Sequence, residues 1–202
     1  MYKKQLDKFF RENPLTDKNP SAAALWHFLM SMSRSDNAEE IFGFIEKESK
    51  LTPEREAEVA EGLAKVEAAV TGQEIIKLMR SKLDMPARRK LYKKAKDLAS
   101  EITPELTRRL KRSLSDYFIE ATVEFLAFAD IDVSEELIAE YDQVRNPYAQ
   151  SKILVLLGFF VDEEHIPWLI DQYHILKKAH SKERLCEGAY FALVEVEKRF
   201  YA

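Results

Sequence analysis

Cysteine and glycine are scarce in this chain. Of its 202 residues one is cysteine, Cys186, and five are glycine. A lone cysteine excludes an internal disulfide and a cysteine-based zinc site. So few glycines, with no Gly/Ser-rich tract, argue against strands joined by tight turns and for long, solvated helices. Long apolar runs are missing as well. The longest, Ile153 to Val161, has about half the length that a membrane span requires. The N-terminus, MYKKQLDKFF, carries basic residues but no apolar stretch behind them, so it does not read as a secretory signal. There is no phosphate loop, no Gly-x-Gly-x-x-Gly turn and no Gly-x-Ser-x-Gly elbow. The expectation is a soluble, cytoplasmic protein with no cofactor and no membrane partner.

What the chain has is apolar and charged material in quantity. The hydrophobic fraction of 46% suffices for a sizeable core, and the charged fraction is 33%, against about 25% in ordinary globular proteins. The formal net charge is −4, but it is unevenly spread. Residues 77–112 hold thirteen Lys/Arg against four Asp/Glu, a local balance of +9, so the remainder carries −13. Such an asymmetry bears on partners rather than on fold.

Helix starts are legible. Asn19-Pro20, Thr52-Pro53, Thr103-Pro104 and Asn146-Pro147 each place a capping side chain before a proline. The cap accepts a hydrogen bond from a first-turn N–H, and proline has no N–H to leave unpaired. Asp84 ahead of Pro86, Ser134 and Ser181 give further starts. Apolar residues recur at helical spacing: Val59, Leu63, Val66 and Val70; Leu91, Ala95, Leu98 and Ile102; Leu106, Leu110, Leu114, Tyr117, Ala121 and Phe125. No stretch alternates with a period of two. The spacing predicts helices over 3–12, 20–33, 37–49, 53–70, 73–83, 86–101, 104–129, 134–144, 147–160, 163–178 and 182–200, the 104–129 helix bending or dividing near Ser113 or Ser115.

Residues 156–173, LLGFFVDEEHIPWLIDQY, set an acidic corner between two apolar helices. Asp162 or Glu163 caps the second helix there, and Pro167 fits within its first turn. The corner reads as a turn and needs no ligand. Leu137-Ile138-x-x-Tyr141 recurs thirty-two residues later as Leu169-Ile170-x-x-Tyr173. With about four residues inserted, Ala149, Ile153, Leu157 and Phe160 fall opposite Leu185, Ala189, Leu193 and Val196, as a stacked helical repeat requires. The junction LGFFVDEEHIPWLIDQY resembles that of a HEAT-like repeat, a leucine-glycine helix end, an acidic turn, then Ile-Pro-x-Leu-Ile opening the next helix. The likeness covers residues 134–200, departs from the common form at Phe159 and Phe160, and does not extend to 1–130. It implies two stacked helix pairs and a binding surface, and it implies no chemistry.

The constellations that could carry chemistry are thin. Asp171 and His174 lie three apart on one helix, with Glu163 and His165 upstream, but no Glu-x-x-His occurs to complete a bundle-type metal site. His27, between Trp26 and Phe28, reads as a packed histidine, and Cys186 as a small core residue. The basic segment is the better candidate. Arg88, Arg89, Lys90, Lys93, Lys94 and Lys96 lie off the Leu91/Ala95/Leu98 stripe and are expected to face solvent. Arg108, Arg109, Lys111 and Arg112 do the same on the next helix. Arg88, Arg89, Lys93, Lys94, Arg108, Arg109 and Arg112 thus form a candidate anion or nucleic-acid patch.

Together these readings give a single all-α domain over 1–202, of about ten to eleven antiparallel helices in an α-α superhelix (a HEAT/ARM-like solenoid). Residues 134–200 supply two helix pairs, and the N-terminal helices complete the stack or pack as a bundle against it. The expected function is non-catalytic interaction with an unidentified protein, and the alternative is nucleic-acid binding through residues 88–112.

Overall fold

The computed structural model describes residues 1–15, 19–48 and 52–202. Among them are twelve α-helices and no strand, so the protein is all-α. The helices are α1 (Tyr2–Glu12), α2 (Ala22–Ser33), α3 (Ala38–Glu48), α4 (Pro53–Ala68), α5 (Gly72–Leu78) and α6 (Met85–Lys96), followed by α7 (Ala99–Leu110), α8 (Asp116–Phe128), α9 (Ser134–Ala139), α10 (Pro147–Leu157), α11 (Ile166–Ala179) and α12 (Glu187–Tyr201). Residue 49, expected to end the third helix, lies outside the described residues.

Two of the Pro-preceding caps form as hydrogen bonds. Thr52 Oγ1 accepts from the Arg55 N–H at 3.3 Å, and Asn146 Oδ1 from the Tyr148 N–H at 3.0 Å. Two others fail. At Asn19-Pro20 the helix starts later, because Ser21 Oγ takes the Ala24 N–H at 3.0 Å. Thr103-Pro104 opens no helix; α7 has already begun at Ala99, and Pro104 sits inside it. An interior proline forfeits a hydrogen bond and crowds the carbonyl four residues back. Here Ile102, Leu106 and Leu110 are all buried on one face, and that burial holds the helix together across the proline. The 104–129 span is divided, with Ser115 Oγ capping α8 through the Phe118 N–H at 3.4 Å. Asp84 precedes α6 without a side-chain cap, since its carboxylate pairs with Arg55. Ser181 starts no helix, because the chain turns until α12 begins, with Arg184 at φ 55°.

The chain divides into two compact units. The central unit is Met30–Ile131, and the terminal unit joins Met1–Leu29 to Asp132–Ala202. In the central unit α4 packs on α6 and α6 on α8, while α5 packs on α7. Each of α4, α5 and α6 thus meets the helix two places further along, and α7 also packs on α8. Its core holds Val66, Ile75, Ile76, Met79, Leu91, Ile102, Leu106, Phe118, Ile119 and Phe125.

In the terminal unit α10 lies against α12, α11 against α12, and α1 against α11 and α12. Residues 151–159 of α10 and its end are all buried, as an apolar-all-round helix demands. Two glycines set its distance from α12. A Cβ on Gly158 would lie 2.6 Å from Ala192 Cα, and one on Gly188 would overlap the Ser151 carbonyl oxygen and lie 2.6 Å from Ser151 Oγ. Of the repeated positions, Leu137, Tyr141, Leu169 and Tyr173 are buried, as are Ala149, Ile153, Leu157, Ala189, Leu193 and Val196; Phe160 and Leu185 are half-buried. Tyr141 meets Trp168 of α11 edge to face, with centroids 5.2 Å apart.

Candidate functional site

The basic segment does not form a bare cationic face. Arg88 and Arg89 are only 18% and 14% exposed. Their side of α6 turns toward neighbouring helices, not toward water. Arg88 Nη1 donates to Glu124 Oε1 and Oε2 at 3.2 and 3.0 Å, and the Tyr92 hydroxyl donates to the same carboxylate. Burial pushes the Glu124 carboxyl up against the pull of Arg88, and burial beside Glu124 pushes the Tyr92 phenol up too. Arg89 donates to Glu46 and Glu39, both at 2.8 Å, and its guanidinium lies 4.5 Å from the Phe42 ring centroid. Lys93 Nζ reaches Glu39 at 2.7 Å. Lys94 Nζ donates to the carbonyls of Val66 and Glu67, at 3.1 and 2.7 Å, near the negative end of α4. Lys90 pairs with Glu67. Arg108 and Arg109 share Glu105, at 2.7 and 2.5 Å, and their hydrogen bonds lower its pKa to about 2. Arg112 is exposed. Six of the seven candidate cations are thus engaged by this chain's own carboxylates and carbonyls.

The acidic corner is a turn, and it is also one wall of a cleft. Glu163–His165 form a short 3₁₀ turn that leads into α11, with Pro167 in the first turn of that helix. Arg199 of α12 fixes the corner, its Nη1 donating to the carbonyls of Gly158 and Val161 at 3.0 Å each. The Tyr201 hydroxyl donates to Glu163, and this bond raises its pKa to about 12. Opposite stands the start of α9, where Asp132 Oδ1 accepts the Ser134 N–H at 2.9 Å. The cleft between them has a volume of about 450 Å³ and is lined by Asp132, Glu135, Glu136, Asp162, Glu164 and His165, over Val133, Phe160 and Val161. The five carboxylate residues are exposed, no Lys or Arg lines the cleft, and His165 Nδ1 is buried and makes no hydrogen bond. From the sequence Asp162 and Glu164 were legible as acidic. The half contributed by Asp132, Glu135 and Glu136 was not, because thirty residues separate it from the corner.

The other candidates take structural positions. His27 Nε2 lies 3.0 Å from Glu195 Oε2, and its ring stacks on Phe159 and Phe191 with centroids 5.8 and 5.3 Å away. Burial opposes ionisation of Glu195, but the His27 bond and Lys198 outweigh it and its pKa is lowered. Asp171 and His174 line a groove against α1 with Gln5 and Glu12. Among the described residues no group of three or more His, Cys, Asp or Glu is placed to hold a metal ion. Cys186 is buried; burial and then the Glu187 charge push its thiol pKa up, away from the reactive thiolate. No described helix is long and apolar enough to cross a membrane. No protein-family model matches this chain, and no curated protein or solved structure matches it either.

Proposed function

We propose that this chain is a non-catalytic, HEAT-like interaction module that holds a basic segment of a partner protein in the acidic cleft between the start of α9 and the Asp162–His165 corner. The observation that carries the reading is the cleft itself: five exposed carboxylate residues and no cation line a cavity of about 450 Å³. Acidic side chains gathered in one concave place attract positive charge, so the site favours Lys or Arg side chains. The apolar floor of Val133, Phe160 and Val161 suits the methylene stems of those side chains. The repeat reading is supported by the alternation of contacts, α10 on α12 and, in the central unit, α4 on α6 and α6 on α8. The nucleic-acid alternative on residues 88–112 draws less support, because most of those cations already hold internal partners.

The test is binding of a short Lys/Arg-rich peptide followed against salt. The reading predicts that affinity falls as salt rises. It also predicts a loss of about tenfold in the double variant Glu135→Gln/Glu164→Gln, whose exposed positions leave the fold intact. Equal affinity of the variant and the parent chain would remove the cleft from the account.

A further inference from the structure

We infer that the basic partner of the acidic cleft is a second copy of this chain, docked through the turn between α7 and α8. The inference rests on the cleft reading above and names the occupant of the cleft. The sequence placed Leu114 and Tyr117 on the apolar stripe of one long helix. That helix divides instead, and both side chains are left facing water, Leu114 85% and Tyr117 43% exposed. The turn that carries them is braced. The Ser115 N–H donates to Ser113 Oγ at 3.1 Å, and Ser115 Oγ accepts from the Phe118 N–H at 3.4 Å. A single exposed leucine is ordinary on a protein surface, and what singles this one out is its company.

Cations surround it. Arg112 lies two residues before Leu114. The Arg80 guanidinium, from the turn after α5, lies 5.5 Å from the ring centroid of Phe118 and so reaches the same end of α8. Lys82 follows Arg80 by two residues. All three are exposed, and among the described residues none of them pairs with a carboxylate. Asp116, the acidic residue of this tip, sits in the first turn of α8, where it suits the positive end of the dipole. Three cations thus stand against one carboxylate around an apolar pair. The cleft presents the converse. Asp132, Glu135, Asp162 and Glu164 rim an apolar floor of Val133, Phe160 and Val161. Seated on that floor, Leu114 leaves water while Arg80, Lys82 and Arg112 meet the rim, so charge and apolar surface match together. Tip and cleft are different surfaces. The contact is therefore head to tail, and copies add in an open chain or close into a ring.

The test is sedimentation velocity of the full chain over a concentration series, at low and at high salt. Association is expected to grow with concentration and to fall as salt rises. Leu114→Ser weakens it about tenfold, the share of one leucine withdrawn from water. Lys82→Glu/Arg112→Glu makes the tip acidic, and Glu135→Lys/Glu164→Lys makes the cleft basic; all four positions are exposed. Each reversed chain is expected to be monomeric alone. The two mixed are expected to associate, because the basic tip of one again meets the acidic cleft of the other. Should a reversed chain not fold, Lys82→Gln/Arg112→Gln and Glu135→Gln/Glu164→Gln replace the pair, and each must weaken association about tenfold. A parent chain that is monomeric at low salt overturns the inference, including one whose tip instead binds an anionic vesicle or an oligonucleotide. So does association unchanged in the tip variants, or none on mixing the reversed chains. A Lys/Arg-rich peptide separates this failure from that of the cleft reading. Peptide bound at the cleft of a monomeric parent chain removes only the second copy, whereas a monomeric chain that binds no peptide removes both.

Discussion

Replacing Gly188 with alanine tests the close approach of α12 to α10. The added Cβ would overlap the Ser151 carbonyl oxygen, lie 2.6 Å from Ser151 Oγ and 2.8 Å from the Ser151 carbonyl carbon. Two of these three atoms are backbone, so no rotamer change relieves the overlap, and α12 must move away from α10. Overpacking of this kind costs about 1–3 kcal/mol, and the upper end applies because a whole helix has to shift. Against it stands a gain in helix propensity of at most about 1 kcal/mol, smaller in the first turn where Gly188 sits. The net expectation is a loss of about 2 kcal/mol. Both tryptophans, Trp26 and Trp168, belong to the terminal unit, so urea unfolding followed by tryptophan fluorescence reports on it. Gly43→Ala is the contrast. Nothing lies within 4 Å of a Cβ there, inside α3, so stability of the central unit should rise by about 0.5–1 kcal/mol, read by circular dichroism. A Gly188→Ala midpoint equal to or above that of the parent chain would refute the packing of α10 on α12.

Other perturbations have equally definite outcomes. Arg199→Ala removes two hydrogen bonds to the Gly158 and Val161 carbonyls and should cost about 1–3 kcal/mol in the same fluorescence assay. Glu105, held near 2 by Arg108 and Arg109, should show a carboxyl ¹³C titration midpoint close to that value. Its folded pKa is depressed, so its contribution is complete above the unfolded carboxyl range of about 4.3 and is lost as the pH falls through about 2. A midpoint above 4 would show that the paired arginines do not hold it. Cys186, buried with a raised pKa, should react with a thiol reagent at pH 8 much more slowly than free cysteine, and unfolding in urea should restore the rate.

The sequence was most informative where one residue decides a local outcome. Thr52 and Asn146 cap helices because their oxygen and the following proline act within one turn of chain. Thr103-Pro104 carries the same local signal and misleads, because burial of Ile102, Leu106 and Leu110 is a tertiary effect that overrides a local preference. The same limit explains the site. Leu91, Ala95 and Leu98 read as one apolar stripe of a helix over 86–101, of which only Leu91 and Ala95 lie in α6, and everything off it was assigned to water. Yet α6 meets both α4 and α8, so Arg88 and Tyr92 are enclosed on a second side and find Glu124, thirty-six residues from Arg88. Pairings at such separations leave no periodic trace. The cleft was half legible for this reason: Asp162 and Glu164 announce themselves as a corner, whereas Asp132 and Glu135 face them only once α9 has been placed.

The most direct test of the acidic cleft is where a basic peptide sits. An acidic chain can attract such a peptide anywhere, so affinity alone does not locate it. A nitroxide-labelled Lys/Arg-rich peptide mixed with the ¹⁵N-labelled chain broadens the amides nearest to it. Broadening is expected at residues 132–136 and 160–165, relieved by Glu135→Gln/Glu164→Gln. Broadening spread over the surface, or concentrated on α3 and α4 with the cleft untouched, would contradict it.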